Sequence, residues 1–207
     1  MTNKGFTLAE ILVVMAIVAI VGLIMVVIFT NTLRGSNKSQ ILSIMKQNGQ
    51  AVLDSIDRVI RNSDGVACPV SGSSDTIVIV KNGTYSRYRV VSANSTPGSA
   101  PAVCIGTGKN GCIILDNPTP SPSEITPQLF FNRICGSIDP MSSAQILTDT
   151  NSLTGVSIDS GLFTVSKPSG FKAVVTVNFT LGPGVDVPQI VRNQIGSVIN
   201  RTTIELR

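Results

Sequence analysis

The residues of this chain able to do chemistry are few, and what is absent narrows the possibilities first. Its 207 residues include no histidine and no tryptophan. Losing histidine removes the commonest general base and the commonest metal ligand together. Ser-His-Asp and Cys-His mechanisms are therefore excluded in their usual forms. Four cysteines remain: Cys68, Cys104, Cys112 and Cys135. None lies in a Cys-x-x-Cys pair, so neither a zinc ribbon nor a thioredoxin-type couple is indicated. An even number, all well downstream of a long apolar run, points to disulfides formed in an oxidising compartment. Three connectivities are possible. The expected one pairs Cys104 with Cys112 across a glycine-rich loop and Cys68 with Cys135 between helix end and sheet; four buried free thiols are the alternative.

One carboxylate stands apart. Glu10 immediately precedes residues 11–29, nineteen consecutive apolar or glycine residues. At about 1.5 Å rise per residue such a run spans roughly 30 Å, the hydrocarbon thickness of a bilayer. It exceeds the roughly 7–15-residue core of a secretory signal. An ionisable group at the edge of such a span is costly and marks a functional position by default. The competing reading is a carboxylate in the headgroup layer that caps its own helix N-terminus. Position alone leaves both open.

Other motifs carry less. The stretch 106–111 is glycine-rich and holds Lys109, but it lacks the spacing of a phosphate-binding loop and no helix follows, so it reads as a turn. Asp149-Thr150-Asn151 matches only the start of a calcium loop. No metal, cofactor or catalytic residue is expected, and the chain is read as no enzyme. The formal charge is +4, from 16 basic and 12 acidic residues without a basic run. Arg87 and Arg89, beside Tyr85 and Tyr88, are read as a solvated strand face rather than a nucleic-acid footprint; nucleic acid is not an expected partner.

These residues are positioned by a simple succession of elements. The β-branched run at 11–29 would favour strand in water. In lipid every backbone group must be bonded internally, so it becomes a helix. Ile41, Met45, Val52, Ile56 and Val59 then recur at helical spacing, with Asp54, Asp57, Arg58 and Arg61 mostly off that stripe. One helix from residue 6 to about 62 is expected, stopped by Asn62-Ser63-Asp64-Gly65 with Gly65 as a left-handed cap. The polar residues 31–40 are the expected flexible point. Runs 76–81 and 84–91 flank Asn82-Gly83, a strong hairpin signal. Short strands are expected at 102–105 and 112–115, and longer ones at 154–166, 171–181 and 200–207. Four prolines within 116–128 indicate an extended surface loop.

The N-terminal residues also resemble a known family. Gly5-Phe6-Thr7-Leu8-Ala9-Glu10, followed at once by the apolar run, resembles the type IV prepilin signal. The resemblance implies that residues 1–5 are a leader, with Lys4 as its positive charge. A prepilin peptidase would cut after Gly5 and N-methylate Phe6. Glu10 would pair with the Phe6 amine of a neighbouring subunit during assembly. It also implies other pilin subunits, a platform membrane protein and an assembly ATPase as partners. The chain would be a single-pass protein of the cytoplasmic membrane with an extracytoplasmic head, later part of an extracellular pilus or pseudopilus. Many relatives carry a helix-breaking proline along this helix; here no proline precedes Pro69.

The expected organisation is a leader (1–5), a transmembrane and polymerisation helix (6–30), an amphipathic continuation (31–64) and a β-rich head (65–207). The fold class is α+β, a long helix packed on an antiparallel sheet, as in the pilin fold. The layout is similar to larger minor pilins and J-type pseudopilins. The expected function is a minor pilin of a type IV pilus; the alternatives are a J-type pseudopilin of a type II secretion system and a single-pass adhesin or binding module that never polymerises.

Overall fold

The structure, a computed structural model, describes residues 7–92, 95, 100–122, 124, 126–136, 141 and 143–206. A long helix, α1 (Leu8–Arg61), opens the chain. Residues 31–40, expected as a flexible point, are helical within it. The chain divides into two compact units, Met1–Gln40 and Ile41–Arg207. The second unit begins inside α1 because the apolar stripe starts there: Met45, Val52, Ile56 and Ile60 are buried against strands.

Among the described residues nine strands and two further helices follow. They are β1 (Gly65–Cys68), β2 (Gly72–Ser74), β3 (Thr76–Lys81), β4 (Thr84–Val91), β5 (Cys112–Asp116), α2 (Pro127–Cys135), β6 (Gln145–Ile146), β7 (Val156–Ser166), β8 (Val174–Pro183), α3 (Gln189–Ile195) and β9 (Val198–Glu205). All pairings are antiparallel. The expected single sheet is in fact two, one in the order β1-β3-β4-β5-β6 and one in the order β2-β7-β8-β9. The architecture is thus α+β, a long N-terminal helix followed by antiparallel sheets in a pilin-like arrangement.

Both sheets turn one face to the second half of α1. Ile77, Ile79, Tyr88 and Ile113 of the first sheet join Val156, Ile158, Phe163, Val175, Phe179, Leu181 and Ile204 of the second in one core with the helix stripe. The β3–β4 hairpin turns at Asn82 (φ 48°) and Gly83 (φ 74°), the paired positive φ values of a type I′ turn, whose twist matches the strands.

Several local expectations are corrected. Gly65 is not a left-handed cap; it pairs with Val80 as the first residue of β1. The end of α1 is satisfied instead by side chains: Ser63 Oγ donates to the Ile60 carbonyl at 2.6 Å and Asn62 Nδ2 to the Arg58 carbonyl at 2.9 Å. Residues 102–105 form a turn rather than a strand. The proline-rich stretch does not run on to 128, because Pro127 starts α2. Thr126 is its N-cap, accepting from Leu129 N–H, and proline at the first helical position loses no hydrogen bond.

Candidate assembly site

The candidate site is the start of α1. Gly5 and Phe6, read as the cleavage and methylation positions, lie outside the described residues. Glu10 is described, and its partner is local. Thr7 N–H donates to Glu10 Oε2 at 2.8 Å and Thr7 Oγ1 to the same oxygen at 3.0 Å. Glu10 N–H returns a bond to Thr7 Oγ1 at 3.3 Å. This is a capping box: the hydroxyl and the carboxylate three residues on reciprocally satisfy amide groups that a helix start leaves orphaned. The signal was legible as Thr-x-x-Glu ahead of an apolar run. In the single chain, Glu10 therefore finishes its own helix. Its carboxylate is exposed, so a cation brought by another molecule can reach it.

The helix behind Glu10 is apolar on every side. The large apolar side chains at position 8 and across 11–29 are between 44% and 78% exposed. A soluble surface helix has one apolar stripe; one that is apolar all round is covered by lipid or by other helices. Among the described residues α1 is the helix long and apolar enough to cross a membrane. No charged side chain interrupts 11–29. This segment can therefore insert, and it can be covered equally well by identical neighbours, because its surface has no preferred side.

The head carries the cysteines. Cys68 is bonded to Cys135 and Cys104 to Cys112. The first bridge ties β1 to the end of α2; the second closes the loop at 106–111, where Gly106 (φ 119°) and Gly108 (φ 73°) adopt left-handed conformations.

The Arg–Tyr group is the main correction. Arg87 and Arg89 are buried, not solvated. Tyr88 and Val90 point to the α1 core, so the alternate residues Arg87 and Arg89 lie on the opposite face of β4. There α2 covers them. Arg87 grips Asp116 in a bidentate pair, Nε to Oδ1 at 2.9 Å and Nη2 to Oδ2 at 2.5 Å, and donates to the Ile134 carbonyl. Arg89 donates to Thr76 Oγ1 at 2.9 Å and to the Gly136 carbonyl at 2.7 Å. Both cations thus reach carbonyls at the C-terminal end of α2, where orphan acceptors and the helix dipole favour positive charge. These arginines hold the head together and are not available as a binding strip. The Asp149 and Asn151 side chains are also spent locally, accepting amide bonds from Asn151, Leu153 and Thr154.

Residues 1–26 match the family described as the prokaryotic N-terminal methylation motif, the leader of type IV pilins and pseudopilins. No curated protein and no solved structure matches the chain.

Proposed function

We propose that this chain is a structural subunit of a type IV pilus, a minor pilin, processed at Gly5 and assembled through its N-terminal helix. The methylation motif at residues 1–26 marks it as a pilin or pseudopilin precursor, handled by a prepilin peptidase and built in with other pilins. The observation that carries the assembly step is the all-round apolar helix behind a single exposed carboxylate. The subunit waits in the membrane through residues 11–29, with its head outside the cytoplasm. Removal of residues 1–5 frees the Phe6 amine. In a bundle of such helices, an amine and a carboxylate in low dielectric each need a counter-charge. Glu10 exchanges its Thr7 bonds for the Phe6 ammonium of a neighbour, so each arriving subunit satisfies one charge and presents another. The chain holds no motif for driving its own extraction; a platform protein and an ATPase supply it.

Two disulfides in the head suit an extracytoplasmic location. Glu10→Leu tests the proposal. The variant should be processed and membrane-inserted but should not enter filaments. Incorporation equal to the unaltered chain would show that Glu10 does nothing in assembly. A J-type pseudopilin would share these steps and differ in which filament is lost.

A further inference from the structure

We propose that the free edge of β9 is a strand-addition site for an extended, antiparallel segment of another polypeptide that presents a base, a hydroxyl and an acid in that order on one face. The inference goes beyond the filament reading and stands or falls without it.

Among the described residues the sheets of the head have four edges. Three are blunted: β2 has three residues and β6 two, while β1 has four, with a register shift between Val66 and Cys68. The fourth, β9, is different. Its eight residues pair with β8 in unbroken register from Leu181↔Val198 to Val174↔Glu205, with neither proline nor bulge. Long, regular edges are the ones other chains add to, and proteins ordinarily disguise them.

The direction of the unused groups follows from one bond. Leu206 N–H donates to the Ala173 carbonyl at 3.1 Å. In an antiparallel ladder hydrogen-bonded and non-hydrogen-bonded pairs alternate. Residues 198, 200, 202 and 204 therefore bond to β8, and Ile199, Arg201, Thr203 and Glu205 aim their N–H and C=O groups away from it. Outside the sheet ladders, no backbone hydrogen bond among the described residues reaches those four. The side chains of the same four lie on the outer face and are exposed. Arg201 and Glu205 have no ion-pair or hydrogen-bond partner among the described residues, and Thr203 bonds only to Thr176, at 3.2 Å.

This pattern specifies the occupant. An antiparallel strand centred on Thr203 places its own residues opposite Glu205, Thr203 and Arg201, so base, hydroxyl and acid complete the three positions. A second β9 would also match in charge, with Arg201 opposite Glu205 of the other copy. That pairing has a two-fold axis normal to the sheet. Such an axis sets the sheet-packed stretches of α1 in the two copies antiparallel to each other, and the test below separates this occupant from a different chain.

The test uses the processed full-length chain in detergent and two labelled peptides read by fluorescence anisotropy. One has the sequence Lys-Val-Thr-Thr-Glu-Thr-Ile; the other exchanges its Lys and Glu. The first should bind about tenfold more tightly than the second, from two matched against two mismatched cross-strand charges. Thr203→Pro removes an outward N–H that β8 does not use and should abolish binding. In case that variant fails to fold, Arg201→Glu with Glu205→Arg alters only exposed side chains and should invert the preference between the peptides. Equal binding of both peptides, or no inversion, overturns the proposal. So does a β9-dependent dimer of the chain alone, which would make a second copy the occupant.

Discussion

Replacing Asp116 by asparagine should cost the head more than replacing Arg87 by methionine, and the difference follows from burial. The two side chains form a bidentate pair, but their surroundings are unequal: Arg87 is 1% exposed and Asp116 23%. Asp116→Asn takes away the carboxylate that meets the buried guanidinium in two bonds, in a site the guanidinium cannot leave, covered by α2. Breaking a buried pair in this way costs about 3–5 kcal/mol. Arg87→Met leaves a carboxylate that can reach water, and the Ile134 carbonyl loses one donor; about 1–3 kcal/mol is expected. At roughly 2–4 °C per kcal/mol for a unit of this size, Asp116→Asn should lower the melting temperature by about 6–20 °C. Arg87→Met combined with Asp116→Leu removes both charges and should recover most of the loss, because apolar replacement of a buried pair is often neutral. The chain has no tryptophan and only two tyrosines, Tyr85 and Tyr88. Tyr85 packs edge-on against Phe130 of α2 and Tyr88 lies in the α1 core, so tyrosine emission reports both sides of β4 in a urea titration with disulfides intact. If Arg87→Met proved the more damaging change, or if both cost under about 1 kcal/mol, the pair would not be holding α2 on β4.

Other expectations concern bridges, charges and packing. The loop closed by Cys68–Cys135 has a sequence separation of 67 and that of Cys104–Cys112 of 8; loop-closure entropy gives about 4 and about 2.5 kcal/mol. Paired Cys→Ser changes at 68 and 135 should therefore lower the urea midpoint more than those at 104 and 112. Arg133 and the Ser121 amide hold the Glu124 carboxyl below its ordinary value. That contribution is complete above the unfolded value of about 4.3 and is lost as pH falls through the lower folded value, so Glu124→Gln should flatten the acid limb of a stability–pH curve. Burial pushes the Asp159 carboxyl up despite Arg192; its contribution is present at low pH and lost as pH rises, so Asp159→Asn should raise the melting temperature at pH 7. A Cβ at Gly161 would overlap the Phe179 and Val90 side chains and the Asn178 carbonyl; Gly161→Ala should cost about 1–3 kcal/mol in the same titration.

Much of this architecture is legible in the sequence because its signals are local and strong. Residues 11–29 can only be a helix if they enter lipid, and Asn82-Gly83 can hardly be anything but a hairpin turn. The late strands alternate clearly along Val175, Val177 and Phe179, which all point into the core. What was misread depended on partners distant in sequence. A charged residue in a strand is ordinarily solvated; Arg87 and Arg89 are buried because α2 closes over them, its end offering the Ile134 and Gly136 carbonyls while β5 offers Asp116. The helix itself was hidden by the prolines before it, although Thr126 and Pro127 together form a helix start. At Gly65 a generic stop signal was overridden by pairing with β3, and Ser63 did the capping. At the candidate site the methylation motif is plain in the sequence, and of the two readings open for Glu10 the single chain shows the helix cap, with Thr7 as its partner. Thr7 and Glu10 cap the helix in the single chain.

The central claim is that Gly5 and Phe6 form a processing signal and that the helix behind them is an assembly element. Intact-mass measurement of the protein recovered from its native membrane tests this most directly. The account predicts a chain beginning at Phe6, 207 − 5 = 202 residues, heavier by one methyl group on its terminal amine. A protein that retains residues 1–5, or that begins downstream of the apolar run, would contradict it.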